Sequence, residues 1–187
     1  MPRKKQYNEQ DVIEKAMQLF WRNGYETTSM HMLEKEMGIN KFSIYASFGS
    51  KDGVFLESIK CYKQKLNKLI EELKKSSSGI ESIKEYFQDF LEFSKDNEYG
   101  KGCLITNTAN EIGQDSDKHI KEVLTDFIEN VRTVFAEVLK QDKTRDNEMI
   151  AKQADYLITS MFGLSSASRV FNAAQMENYI ENIFKNI

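Results

Sequence analysis

Hydrogen-bond donors and positive charges are concentrated in one short stretch of this sequence. Lys41, Ser43, Tyr45, Ser47 and Lys51 follow one another there at intervals of two to four residues. Ammonium and hydroxyl groups of this kind donate to phosphate oxygens and to the acceptor atoms at the edges of bases. The chemistry that the stretch offers is therefore the recognition of a nucleic acid.

Two glycine turns and three helices are predicted to position this stretch. Gly38 supplies the left-handed residue that a tight turn between two short helices requires. Such a pair is the helix-turn-helix unit, whose second helix is narrow enough for the DNA major groove. The predicted elements are a first helix over Glu9–Asn23 stopped by Gly24, a second capped by Thr28 or Ser29, and a third over Lys41–Phe48 capped by Asn40.

The rest of the chain shows apolar residues at helical spacing, without strand alternation and without a sequence repeat. We predict an all-α fold of about nine helices, with a three-helix helix-turn-helix domain over 1–51 and a larger helical domain over 52–187. The further helices are predicted from Ser50 to Lys75 and over 80–95, 103–112, 116–141, 146–171 and 174–184.

Composition and charge are ordinary for a folded domain but unevenly distributed. The 187 residues are 40% hydrophobic and 29% charged, with a formal net charge of −3. Residues 1–51 hold eight Lys/Arg and six Asp/Glu (+2), whereas the remaining residues hold 18 and 23 (−5). No apolar run is long enough to cross a bilayer, and two cysteines make no disulfide framework, so we expect a cytoplasmic protein.

Catalytic and metal-binding chemistry find little support in the sequence. His31 and His119 are the two imidazoles, and Cys61 and Cys103 are the two thiols. Their spacing makes no convincing zinc site, and no glycine-rich phosphate loop or carboxylate dyad is evident. We therefore expect no enzyme activity, no metal and no cofactor.

About fifty N-terminal residues carry a recognisable order of side chains. They are Ala16, Leu19-Phe20, Gly24-Tyr25, Thr28-Ser29, Gly38-Ile39, Lys41, Ile44-Tyr45, Phe48, Lys51 and Phe55. In this order and spacing they resemble the TetR family of bacterial transcriptional regulators. Gly102-Cys103-Leu104, followed by Asn107 and Glu111, is similar to an element in one branch of that family, as are Gly163-Leu164 and Arg169.

The resemblance implies a dimer that places the third helix in the major groove of a palindromic operator. The implied DNA contacts come from Thr28, Ser29, Asn40, Lys41, Phe42, Ser43, Tyr45, Ser47 and Lys51. Phe42 either packs on a thymine methyl group or lies against the fourth helix, and Thr28 and Ser29 either contact phosphates or only cap. Arg3, Lys4 and Lys5 form a basic arm that either follows the DNA or has no role.

Two departures from the family pattern affect the three N-terminal helices, which we call the reading unit. Glu34 stands where the family has alanine, so its carboxylate must tilt outward or find a partner. Ala46 and Ser47 replace larger residues that many members use against phosphates, which should weaken non-specific contacts.

The larger domain is expected to hold an effector pocket and a dimer interface. The resemblance implies pocket residues Tyr62, Tyr86, Phe90, Cys103, Phe127 and Phe162, with Phe93 and Phe135 as further candidates; plain core is the alternative. It implies interface residues Gly163, Ser166, Ala167, Val170, Tyr179 and Ile183, with intramolecular packing as the alternative for the small residues 163–168.

Cys103 carries a sharper hypothesis. The resemblance to that branch implies that Cys103 senses electrophiles or oxidants. A helix that begins near Leu104 and the nearby Lys101 would stabilise its thiolate. The alternative is a small buried apolar residue.

Taken together, the sequence predicts a homodimeric repressor released from double-stranded DNA by a small hydrophobic or electrophilic effector. A helical adaptor that no longer binds DNA is the alternative.

Overall fold

A computed structural model describes residues 7–96, 99–113, 117–185 and 187. The predicted basic arm of Arg3, Lys4 and Lys5 lies outside these residues. No helix within the described ranges is both long and apolar enough to cross a membrane.

The described residues form nine helices and one pair of two-residue strands, which confirms the predicted all-α class. The strands pair antiparallel and are too short for any alternation pattern to reveal them. In chain order the elements are α1 (Glu9–Asn23), α2 (Met30–Met37), α3 (Lys41–Phe48), α4 (Lys51–Lys75), α5 (Ile80–Phe93), β1 (Lys95–Asp96), β2 (Tyr99–Gly100), α6 (Leu104–Glu111), α7 (Lys118–Leu139), α8 (Asn147–Ala167) and α9 (Ala173–Phe184).

Side-chain caps explain why the first helices begin where they do. The Asn8 side chain accepts from the amide of Gln10, and the Asn40 side chain accepts from the amide of Ser43. Each bond satisfies an amide that has no partner within its own helix. The bounds of α1 and α3 are therefore those that the cap residues predict.

α8 ends four residues before the predicted helix over 146–171 does. Its C-cap is Ser168, whose hydroxyl donates to the carbonyl oxygen of Ser165. Asn172 then starts α9 with a capping box in which Gln175 takes part. Because Ser168 ends α8 and Asn172 begins α9, residues 168–171 form a turn between them. Val170 and Phe171 are therefore not helical.

α4 joins the two parts of the molecule. It packs against α1 and α3 on the N-terminal side and against α5, α6 and α7 in the body. Phe55, Ile59 and Tyr62 lie on its fully buried face. The proposed boundary between 51 and 52 falls in the first turn of α4, so the helix itself is shared by both proposed domains.

Candidate nucleic-acid interface and effector cavity

α3 is held by one buried side chain and presents the rest of its surface outward. Ile44 is fully buried, whereas Phe42 is 82% exposed and Tyr45 49% exposed. Lys41 and Ala46 are exposed as well. Because Phe42 projects into solvent, the alternative that it packs against α4 is wrong.

Glu34 connects α2 to the start of α3. Its carboxylate accepts a hydrogen bond of 3.1 Å from the backbone amide of Lys41, the first residue of α3. Gly38, with φ of +69°, makes the turn between the two helices. The Glu34 carboxylate thus has a partner. It accepts from an amide that has no acceptor within α3 itself.

Four of the remaining predicted DNA contacts fall into two groups. Ser29 is exposed and caps α2, and Asn40 caps α3, so both lie at helix N-termini. Ser43 is half-buried on α3, as is Ser47, whose hydroxyl lies 2.7 Å from that of Tyr7. Ser29, Asn40 and Ser47 therefore already have hydrogen-bond partners within the protein.

Lys51 and Thr28 need separate accounts. The Lys51 ammonium donates to the carbonyl oxygen of Tyr25 at 3.0 Å and lies 4.4 Å from the centre of that ring. Thr28 is 1% exposed, and its hydroxyl donates to the carbonyl oxygen of Gly24. Burial removes Thr28 from reach of a phosphate, so the expected contact is wrong for its side chain. Ser29, not Thr28, caps α2.

The predicted effector residues do share a cavity in the body. Five of them line a space of about 30 Å³, namely Tyr86, Phe90, Cys103, Phe127 and Phe162. The rest of the wall is formed by Leu66, Ile105, Thr106, Ile128, Val131, Ile158 and Met161. Pockets for small molecules are usually about 300–1,000 Å³. The cavity has an apolar wall of the expected kind but holds about one water molecule in this conformation.

Three aromatic side chains predicted near the pocket have other surroundings. Tyr62 is fully buried beside the cavity, where its hydroxyl donates to the Cys103 sulfur at 3.3 Å. Phe93 packs against Trp21 and Tyr62. Phe135 lies in the core between Tyr86 and Phe87. For Phe93 and Phe135 the structure favours the core alternative.

Cys103 is a buried thiol in this conformation. Burial raises the pKa of the Cys103 thiol and outweighs the hydroxyl of Tyr62 and the amides of Thr106 and Ile105, which lower it. Lys101 does not assist, because its ammonium lies 4.4 Å from the centre of the Trp21 ring. The expected stabilised thiolate is therefore wrong, and a small apolar residue describes Cys103 better here.

A second, larger concavity lies between the N-terminal helices and α7. It measures about 700 Å³, and its wall includes Gln10, Ser47, Lys60, Cys61 and His119. Within the described part of the chain, every buried side-chain nitrogen or oxygen has a hydrogen-bond partner. No buried polar group is thus left waiting for a ligand in this cleft.

The predicted interface residues on α8 and α9 divide into buried and exposed ones. Ser166 is exposed, Ala167 and Tyr179 are half-buried, and Val170 is 70% exposed. Ile183 is only 2% exposed, so it packs in the core of the protomer itself.

Intramolecular packing, the alternative for the small residues, applies to three positions. A Cβ at Gly163 would come within 2.5 Å of the Tyr179 hydroxyl oxygen. The buried Ser165 hydroxyl accepts from the backbone amide of Cys103, and Ser168 is buried beside it. These small side chains bring α9 and the 101–103 segment close to α8.

Known proteins agree with this architecture. Residues 12–58 match the family of bacterial regulatory proteins called the tetR family. The chain is 34% identical over 110 residues to the uncharacterized HTH-type transcriptional regulator YezE of Bacillus subtilis, covering 58% of this chain and 57% of YezE. It is 28% identical over 116 residues to the HTH-type transcriptional repressor ComR of Escherichia coli, covering 61% and 55%. The matched part is little more than half of either relative.

A solved structure shows the same fold over nearly the whole chain. A cysteine-substituted form of the TetR family transcriptional regulator CifR, in complex with a 26-base-pair operator DNA, matches with a TM-score of 0.88. The identity is 22%, and the match covers 98% of each chain. The relatives named here are regulators rather than enzymes, in line with the prediction. Residues 12–58 of this chain thus match the tetR family of bacterial regulatory proteins, and the chain as a whole has the fold of a TetR family regulator.

Proposed function

We propose that the protein is a homodimeric transcriptional regulator that reads a palindromic DNA operator with α3 and represses until a small hydrophobic molecule binds. The observation that carries the proposal is the outward presentation of α3. A buried apolar residue anchors this helix, while a lysine, a phenylalanine and a tyrosine face solvent. An exposed phenylalanine on a helix of eight residues has no role in folding but suits a groove.

The proposed contacts follow from exposure and chemistry. Lys41 donates to guanine acceptors, and Phe42 packs on a thymine methyl group. Tyr45 and Ser29 donate to phosphates, which positions the helix without selecting a sequence. Lys51 joins them, because an ammonium has three donors and only one is used on Tyr25. Asn40, Ser43 and Ser47 orient the helix and add contacts at its edges.

A dimer interface is proposed on one stripe of α8 and the turn after it. Met149, Tyr156 and Val170 are separated by seven and fourteen residues, and all three are prominently exposed. Within the described ranges, the other exposed large hydrophobic residues are Phe171 beside this stripe and the two of α3. A sevenfold apolar repeat on a helix is the pattern that packs against a partner helix, and a two-fold axis would duplicate it.

The effector is proposed to enter the cavity between α4, α5, α6, α7 and α8. Since the cavity now measures about 30 Å³, a ligand must push its walls apart. A ligand that binds the expanded state better than the closed state shifts the protein toward the former and lowers DNA affinity by linkage. An electrophile that reached this space would meet Cys103, and a Cys103→Ser variant that still releases DNA on quinone addition would exclude that route.

Selection of bound duplexes from a random DNA pool tests the proposed function. We expect enrichment of a palindrome whose half-sites lie about one helical turn apart, because two copies of α3 must reach the same face of the duplex. Affinity for that duplex should fall steeply with salt concentration. The ComR relative is named a repressor and the CifR structure contains operator DNA, which supports the choice of assay.

The helical adaptor remains the competing function. It predicts no enriched duplex under any salt condition, and a shallow or absent dependence of DNA affinity on salt. The proposed regulator has a DNA-binding domain over 1–51 and an effector-binding and dimerisation domain over 52–187. Its proposed location is the cytoplasm, where DNA is accessible.

A further inference from the structure

Residues 101–111 form a connector that contacts the reading unit and the body at separate points. The indole nitrogen of Trp21, on α1, donates to the carbonyl oxygen of Gly102 at 2.9 Å, and both groups are buried. The amide of Cys103 donates to Ser165 on α8 at 2.7 Å. Asn107 ties the connector to itself through a 2.8 Å bond to the carbonyl oxygen of Lys101.

Glu111, the last residue of α6, makes a further contact from this connector to the reading unit. Its carboxylate accepts a hydrogen bond of 3.1 Å from the backbone amide of Glu26, in the turn between α1 and α2. The same carboxylate lies directly against Gly24, where any Cβ would overlap with it. Gly24 also has φ of +88°, a backbone conformation that disfavours any side chain, so glycine suits both the turn and the approach of the carboxylate.

The position of Glu111 is not explained by the stability of α6. A carboxylate in the last turn of a helix meets the negative end of the helix dipole, which is unfavourable. The favourable interaction is therefore the one with the turn 24–26, which is 85 residues away in the chain.

The turn that Glu111 holds leads directly to α3. The carbonyl oxygen of Gly24 accepts from Thr28, and the next residue, Ser29, caps α2. α2 in turn holds the first amide of α3 through Glu34. Each step is a direct bond or one residue of chain, so the direction of α3 depends on where the turn lies.

We propose that Glu111 is a positioning residue for DNA binding: it holds the turn 24–26, and hence α2 and α3, in the arrangement that the operator requires. The inference rests on the proposed function of α3. According to this inference, the Glu111 carboxylate attaches the reading unit to the body in addition to α4.

The connector also gives this contact a place in regulation. Cys103, Ile105 and Thr106, at the start of α6, line the effector cavity, and Glu111 ends the same helix. A ligand that widens the cavity displaces the start of an eight-residue helix. If the helix then moved as a unit, the carboxylate at its other end would leave the turn, and the reading unit would lose an attachment.

Three substitutions of Glu111 distinguish the effect of its side-chain length from the effect of its charge. Glu111→Gln keeps the length of the side chain and an oxygen acceptor, so we expect operator affinity within about twofold of the wild type. Glu111→Asp keeps the charge but is one methylene too short, and Glu111→Ala removes the group. For both we expect operator affinity to fall about tenfold or more, since the hydrogen bond to the amide of Glu26 is lost in each protomer.

Glu137 provides the matched control, because it is exposed in the last turn of α7, whereas the α7 residues near the N-terminal helices, His119 and Val123, lie at its start. Glu137→Asp and Glu137→Ala should leave operator affinity unchanged. Hydrogen exchange at the amide of Glu26 is measured on the same proteins without DNA. We expect faster exchange in Glu111→Asp and Glu111→Ala but wild-type exchange in Glu111→Gln, with melting temperatures close to that of the wild type.

The two readouts distinguish a failure of the inference from a failure of the proposed function. Wild-type operator affinity in Glu111→Asp and Glu111→Ala would overturn the inference, and so would unchanged exchange at Glu26. If instead the wild type enriched no duplex while exchange at Glu26 rose as expected, the proposed function alone would fall and the contact between α6 and the turn would stand.

Discussion

Replacement of Phe42 by alanine gives a quantitative prediction about α3. The side chain is 82% exposed, so its removal should change the free energy of unfolding by no more than about 0.5 kcal/mol. Full burial of a phenylalanine side chain contributes about 1.5–3 kcal/mol. If DNA covers about half of the ring, each protomer loses about 1 kcal/mol, and a dimer loses about 30-fold in affinity.

The assay is a fluorescence-anisotropy titration of the selected operator, repeated at several salt concentrations. Since Phe42 contacts no phosphate in this account, the slope of log affinity against log salt should be the same for Phe42→Ala and the wild type. Deoxyuridine in place of thymidine at the contacted position removes only the methyl group. It should weaken the wild type and leave Phe42→Ala unaffected.

Three results would refute this reasoning about Phe42. One is equal affinity of the variant and the wild type for the operator. Another is an equal loss for operator and scrambled DNA, because that would place the side chain on the backbone rather than on a base. The third is a clear drop in melting temperature, which would show that the ring packs in the protein.

Further predictions concern phosphate contact, the core, pH and assembly. Tyr45→Phe should weaken binding to all duplexes alike in the same titration, because its hydroxyl is assigned to phosphates; a loss confined to the operator would contradict this. Ile44→Ala should destabilise the protein by about 2–5 kcal/mol in urea denaturation, since the side chain is fully buried. Burial raises the pKa of the Cys103 thiol, so stability should hold below the ordinary thiol pKa of about 8.5 and fall as pH rises above it, with a shallower fall in Cys103→Ala. Tyr156→Lys should shift a dimer to monomer in light scattering, and an unchanged mass would exclude the α8 stripe as the interface.

Local signals in the sequence were sufficient for the first helices. Asn40 and Gly38 mark the start of α3 and the turn before it because caps and left-handed residues act within a few positions. The aromatic and sulfur-containing residues of the cavity could also be predicted, since they recur on the apolar faces of helices. Their number and type, however, do not reveal that the cavity is nearly closed.

Contacts between distant residues could not be predicted in this way. Whether a side chain on a helix is buried depends on what packs over it, so Ile183 and Thr28 could not be distinguished from exposed neighbours of similar type. Glu111 is 85 residues from the amide that it binds, and no periodicity links the two. The signal that was available is Gly24, which permits a close approach that only the tertiary structure identifies.

The most direct test of the account is to select DNA from a random pool with the wild type and with a Phe42→Arg variant. The account predicts a palindrome for both proteins, with the two motifs differing at one symmetry-related position in each half-site, because α3 alone has changed. An arginine there should favour guanine. Identical motifs would show that α3 does not read the bases, and no enrichment with either protein would contradict DNA binding itself.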